Sequence, residues 1–212
     1  MNRTRHNHGF ALPTLMVMLA LASIAALLAV RNLWVNEQLL NAEADQLRTR
    51  QKAEAVLPIA LIDILGTSAT ILGENPTNLR HTAGNTPQAH AFFPNSLADL
   101  DLLRQRLGTS TCSAGICAPT TLAPYASQAS YWKAQLATAM RVTAADTPYG
   151  DDTAWYWVEV FPQTNHSGFV YRITAMANGV MPGSTAVLQA VWVRNTAISP
   201  TGQWRSWHVL HD

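Results

Sequence analysis

The chain has 212 residues, with 14 Lys and Arg against 13 Asp and Glu, a formal net charge of +1 and only two cysteines. A charge set this sparse and balanced makes no basic field of the kind that grips nucleic acid, so DNA or RNA is disfavoured as the main partner. Once an apolar N-terminal segment and its helical continuation are set aside, about 150 residues remain, enough for one head domain with its own core.

The first element is a basic head, Met1–His8, that runs into Gly9–Val30, GFALPTLMVMLALASIAALLAV, with no charged side chain throughout. A helix over Phe10–Val30 is about 30 Å long, the thickness of a bilayer's hydrocarbon core. Three readings of this segment stay open. Ala20-Leu21-Ala22 before Ser23 matches a small-x-small site for signal cleavage, but cutting there leaves the apolar Ile24–Val30 at a new N-terminus. An uncut signal anchor is the second reading, and Arg3 and Arg5 then keep the head cytoplasmic while the C-terminal domain lies outside.

The third reading rests on His8-Gly9-Phe10-Ala11-Leu12, where a short basic leader ends in Gly at the polar-to-apolar switch. This junction resembles the class III signal of type IV prepilins. The resemblance implies cleavage after Gly9 by a prepilin peptidase on the cytoplasmic side and methylation of the new N-terminal Phe10.

Beyond Val30 the helical period persists and becomes amphipathic. Leu33, Leu40 and Leu47 recur at heptad spacing, while Glu37, Asn41, Asp45, Arg48 and Lys52 form a polar stripe. Neither Gly nor Pro interrupts Val35–Leu57, so the pattern predicts a rod of about 70 Å from Phe10 to Leu57. Pro58 lacks a donor and crowds the carbonyl of Glu54, predicting a kink or an end there, with Ile59–Leu65 as a further buried turn or two. The run Asn36–Leu57, with Arg48–Arg50 and Ala53-Glu54-Ala55, is similar to the N-terminal helix of PilX-type minor pilins. Tyr171–Ala175 and Ala186–Trp192 are similar to paired strands near the C-terminus of the same proteins. The likeness covers the first sixty or so residues and this short C-terminal part.

One position departs from the common pilin pattern. Counted from Phe10, the fifth mature residue is Thr14, where major pilins carry a Glu used in subunit registry. Its absence resembles the PilX subgroup and the K-type pseudopilins at fibre tips, and so implies a tip or priming position.

Gly66–Asn95 is rich in Gly, Pro, Asn and Thr and reads as loop, with His81 and His90 as solvated loop histidines. Ser96 is placed to cap a helix over Leu97–Leu107 that stops at Gly108. Cys112 and Cys117 lie in a short loop-like run. A local disulfide is expected if the head lies outside the cytoplasm, worth roughly 2 kcal/mol, and free thiols are the rival. The spacing does not suit a metal site. Ser127 is read as the start of a second helix through Tyr131, Leu136 and Met140.

After Asp152 the period becomes alternating. Ala154–Phe161, Gly168–Ala177, Ala186–Arg194 and Gln203–Leu210 are bounded by turn residues and predict an antiparallel meander. Trp155, Trp157 and Phe161 share one face of the first strand, and Tyr156, Val158 and Val160 the other. Most of these rings are expected in a core under the long helix rather than on a binding face.

Chemistry-bearing motifs are missing: there is no G-x-S-x-G elbow, H-E-x-x-H helix or phosphate loop, and no cofactor is implied. Asp151, Asp152 and Glu159 are a weak candidate for calcium and read as a solvated surface instead; His166 and His208 have no identifiable nucleophile. The expectation is therefore a non-enzymatic α+β chain with a leader over 1–9, a membrane and assembly helix over 10–30, an amphipathic continuation over 31–65 and a globular head over 66–212. The resemblance implies a minor pilin of type IV pilus assembly, held in the inner membrane with a cytoplasmic N-terminus and a periplasmic head. Its implied partners are prepilin peptidase, the assembly platform and other minor and major pilins. An adhesin or aggregation module, a bitopic inner-membrane protein and a type II secretion pseudopilin are the alternatives.

Overall fold

The computed structural model describes residues 11–66, 79–80, 91–143, 153–163, 168–194 and 201–212. Helix α1 spans Ala11–Leu65 and carries Pro58 inside it. The chain divides into two compact units, one ending at Ala44 and the other Asp45–Asp212. In the first unit the described part is helix alone, and every side chain from Leu12 to Asn41 is exposed.

In the second unit α1 continues as the cover of a sheet. Asp45, Thr49, Lys52, Ala53, Val56, Leu57, Ile59, Ala60, Asp63 and Ile64 are buried, a stripe at three- and four-residue steps. The stripe differs from the heptad expected from sequence. Leu47 is 61% exposed, whereas Asp45 and Lys52 of the supposed polar face are 6% and 4% exposed. Pro58 sits on the exposed side, where its missing N–H costs least, and the helix runs on to Leu65.

Strands β1 (Cys112–Ser113), β2 (Ile116–Cys117), β3 (Met140–Val142), β4 (Ala154–Pro162), β5 (Phe169–Asn178), β6 (Thr185–Arg194) and β7 (Gly202–Leu210) form one sheet. β4 to β7 are the antiparallel meander that alternation predicted, and their bounds agree to within a residue or so. Val158, Ile173, Ala190 and Trp207 lie in register across the four strands. Beyond β4 the sheet is closed by β3, which is antiparallel to it, and by β2, which is parallel.

Both faces of the sheet are covered over β4 to β6. Tyr156, Val158, Val160, Tyr171, Ile173, Ala190 and Trp192 join the buried stripe of α1 in one core. Helix α2 (Leu97–Leu107) adds Leu100, Leu103 and Leu107 to it. α2 begins as read: Ser96 Oγ accepts the Asp99 N–H at 3.1 Å, Asp99 Oδ2 accepts the Asn95 N–H at 3.1 Å, and Gly108 takes φ 59° at the stop.

The opposite face corrects the expectation for the tryptophans. Trp157 is fully buried, but with Trp132, Ala126, Ala129, Cys117, Met176, Val187 and Leu210 in a second core on the far side of the sheet from α1. Helix α3 (Ala129–Ala134) caps this core, with Trp132 and Trp157 ring centres 5.1 Å apart. The helix read over Ser127–Met140 is therefore short. A 3-10 turn over Leu136–Thr138 ends it, and Met140–Val142 leaves helical conformation to pair with β4, because the strand edge provides a ladder that an exposed helix end does not.

The stretch read as loop before α2 also contributes to the core. Arg80 and Ala91 form a β-bridge, and Leu79, Phe92 and Phe93 are buried with Tyr171 and its neighbours. His81, His90, Asp151, Asp152 and His166 lie outside the described residues, as do Gly9 and Phe10.

Candidate functional site

No side chain from Leu12 to Val30 carries a charge, and all are exposed, an arrangement that costs heavily in water. α1 is long and apolar enough over this part to cross a membrane. Its few polar groups suit that setting: Ser23 Oγ donates to the Leu19 carbonyl at 2.8 Å, so the hydroxyl is satisfied inside its own helix. Thr14 lies on this surface beside Pro13, Val17, Met18 and Leu21. A Thr there places no ionisable group in the apolar stretch.

The second unit holds its segment of α1 by a polar clasp. The Asp45 carboxylate accepts the backbone N–H groups of Val180 at 3.0 Å and Met181 at 3.1 Å, in the turn between β5 and β6. One turn on, Thr49 Oγ1 lies 3.3 Å from Ser184 Oγ and donates back to the Asp45 carbonyl at 2.7 Å. Lys52 Nζ donates to Thr153 Oγ1 and to the Asn178 carbonyl at 3.4 Å. Hydrogen bonds from Val180, then Ser184, hold the Asp45 carboxyl below the ordinary aspartate value. Gly179 is needed for this closeness: a Cβ there would stand 2.5 Å from Asp45 Oδ2 and 2.6 Å from Ser184 Oγ.

Farther along α1, fully buried Asp63 pairs with Arg80, Nη1 to Oδ2 at 2.6 Å, and accepts the Tyr156 hydroxyl. Arg80 Nε also donates to the Ala114 carbonyl at 2.7 Å, so one guanidinium ties α1, the sheet and the β1–β2 turn together. Burial, with Asp63 alongside, pushes the Tyr156 hydroxyl far above the ordinary tyrosine value.

Cys112 and Cys117 are joined by a disulfide that closes the β1–β2 hairpin. The hairpin is part of the body of the domain: Cys117 is fully buried, and a Cβ on Gly115 (φ 77°) would meet Met140 Cβ at 2.6 Å. Glu159, a weak calcium candidate from sequence, is instead cross-strand from Arg172, which donates to both its oxygens at 2.5 and 2.7 Å. Burial raises the Glu159 carboxyl, and Arg172 opposes that rise. His208 lies exposed on β7.

The clasp and the Asp63 pair were missed from sequence. Asp45 and Lys52 were visible only as members of a stripe, and nothing in their spacing says which carries a partner. A signal was present at Asp63, an acid between Ile62 and Ile64 in an otherwise apolar turn. Comparison with protein-family models, with curated proteins and with solved structures finds no match for this chain.

Proposed function

We propose that the chain is a minor pilin of a type IV pilus or a related secretion fibre, made as a prepilin and cut after Gly9. The observation that carries the reading is one continuous helix, exposed and uncharged over Leu12–Val30, whose C-terminal part, Asp45–Leu65, is built into a mostly antiparallel sheet domain. An apolar surface of that length has two natural environments, lipid and a bundle of similar helices. A subunit that waits in the inner membrane and then joins a fibre uses both in turn. Exchanging lipid for neighbouring helices gains little hydrophobic energy, so close packing and a few polar contacts decide assembly.

In this reading Phe10 is the methylated mature N-terminus and the head is periplasmic until assembly. The other partners are sister pilins and the assembly platform. Thr14 favours a tip or priming place: a subunit with nothing above it has no N-terminal amine to neutralise and needs no carboxylate at the fifth mature position. The disulfide agrees with an oxidising compartment for the head.

The test is the mass of the mature N-terminus from membranes with and without prepilin peptidase. Phe10 bearing one added methyl group, lost when the peptidase is absent or when Gly9 is replaced, is the expected result. Intact Met1 in both membranes means a plain anchor, and Ser23 means a cleaved secreted protein; each overturns the proposal.

A further inference from the structure

We propose that the outer edge of β7, over Gln203–His208, docks an extended, acidic polypeptide segment of another protein, which adds to the sheet as its next strand. The inference concerns the sheet domain and does not depend on where the apolar helix resides.

β7 is the last strand in the sheet order, and among the described residues it pairs only with β6. The outer edge of such a strand presents N–H and C=O groups at alternate residues, a template for one more strand. β4, toward the other end, has both β2 and β3 laid along it. Natural edges are commonly blunted by Pro or Lys, and Gln203–His208 contains neither; its one irregularity is the bulge at Arg205, between the pairs Val191–Ser206 and Trp192–Trp204.

The side chains point the same way. Gln203 to His208 are all exposed, on both faces of the strand. The buried row Val158, Ile173, Ala190 ends on Trp207, which is 44% exposed, and the row Val160, Tyr171, Trp192 ends on Trp204, which is 46% exposed. The core face therefore continues one strand beyond its cover. A groove of about 410 Å³ runs beside it, lined by Leu57, Trp204, Arg205, Ser206 and Trp207. An added strand with apolar residues on this face would cover both rings.

Charge selects the occupant. Arg205 has no ion-pair partner among the described residues, and Arg50 stands 5.0 Å over the Trp207 ring. The neighbouring carboxylates are already held: Glu54 by Arg50 at 3.0 Å and Asp212 by Lys133 at 2.6 Å. Arg50 is balanced by Glu54, so the uncommitted positive charge at this edge, among the described residues, is that of Arg205. A second copy is the poorer occupant, because antiparallel self-pairing centred on Trp204–Ser206 sets two Arg205 side chains opposite or diagonal to each other.

The probes are two synthetic peptides of about ten residues, one alternating Val and Thr with Glu and the other with Lys in place of Glu, added to the full chain in detergent micelles. Anisotropy of a label on the peptide reads affinity, and amide hydrogen exchange reads the site. The Glu peptide is expected to bind about tenfold tighter than the Lys peptide and to slow exchange at Gln203–His208. Arg205→Glu, an exposed change that leaves the core alone, should reverse that preference. Failure of both peptides to bind at millimolar concentration overturns the proposal, as does binding that ignores Arg205→Glu or leaves β7 exchange unchanged. Protection of β7 that rises with protein concentration and without peptide assigns the edge to a second copy instead.

Discussion

The Asp45 carboxylate on α1 accepts the backbone N–H of Val180 at 3.0 Å, across 135 residues of sequence. With the Met181 N–H it forms a fork that fastens the first buried turn of the helix to the β5–β6 turn.

The fork makes the domain sensitive to acid. Because the folded Asp45 carboxyl lies below its unfolded value, its contribution is present above the unfolded value, about pH 4, and is lost as pH falls through the folded value. The parent should therefore be more stable than Asp45→Asn at neutral pH, with the difference shrinking below about pH 4. Thermal melts of the two proteins from pH 7 to pH 2.5 check this, and a gap that stays constant over the range refutes the assignment.

Gly179→Ala tests the same junction sterically. Its Cβ would stand 2.6 Å from Ser184 Oγ and closer still to Thr49 Oγ1, so the turn or the helix has to shift. A loss of about 1–3 kcal/mol is expected in denaturant unfolding followed by tryptophan fluorescence.

Asp63 is fully buried and Arg80 largely so, with side chains 0% and 10% exposed. Asp63→Asn leaves the guanidinium without its counter-charge and should cost about 3–5 kcal/mol, whereas Tyr156→Phe removes one hydrogen bond and should cost about 1–3 kcal/mol. In the parent, burial should keep the Tyr156 hydroxyl from ionising until the domain unfolds, as an ultraviolet titration would show.

Trp157 is the centre of the second core, where it touches Trp132 and donates its Nε1–H to Thr138 Oγ1 at 3.1 Å. Trp157→Ala should cost about 3–5 kcal/mol and release α3, read as faster amide exchange over Ala129–Ala134. If Trp157 packed under α1, exchange in the Ala53–Ile64 turns would rise instead.

Thr14→Glu supplies the carboxylate that a shaft subunit uses in the pilin reading. The variant should enter the body of the fibre more readily than the parent, measured as its ratio to the major subunit in sheared filaments. An unchanged ratio removes the argument for a tip position.

Much of the fold was legible because it rests on local signals. Twenty-one charge-free residues at Phe10–Val30 make a stretch long and apolar enough to cross a membrane whatever follows, and Ser96 with Asp99 and Gly108 marks both ends of α2 within its own residues. The four long strands announced themselves by alternation and turns. The helix read over Ser127–Met140 failed where a distant strand, β4, offered Met140–Val142 a better set of hydrogen bonds than its own chain did.

What the sequence by itself determined is the conformation of α1, α2 and the four long strands, and the apolar length of α1. Only the tertiary structure decided which surfaces meet. Asp45 and Lys52 are buried while Leu47 is exposed, because the N–H groups of Val180 and Met181, the Asn178 carbonyl and Thr153 happen to face that side of the helix. Periodicity records where polar and apolar groups recur along one segment. Whether a carboxylate can be buried depends on donors brought to it from far along the chain, and no local pattern carries that information.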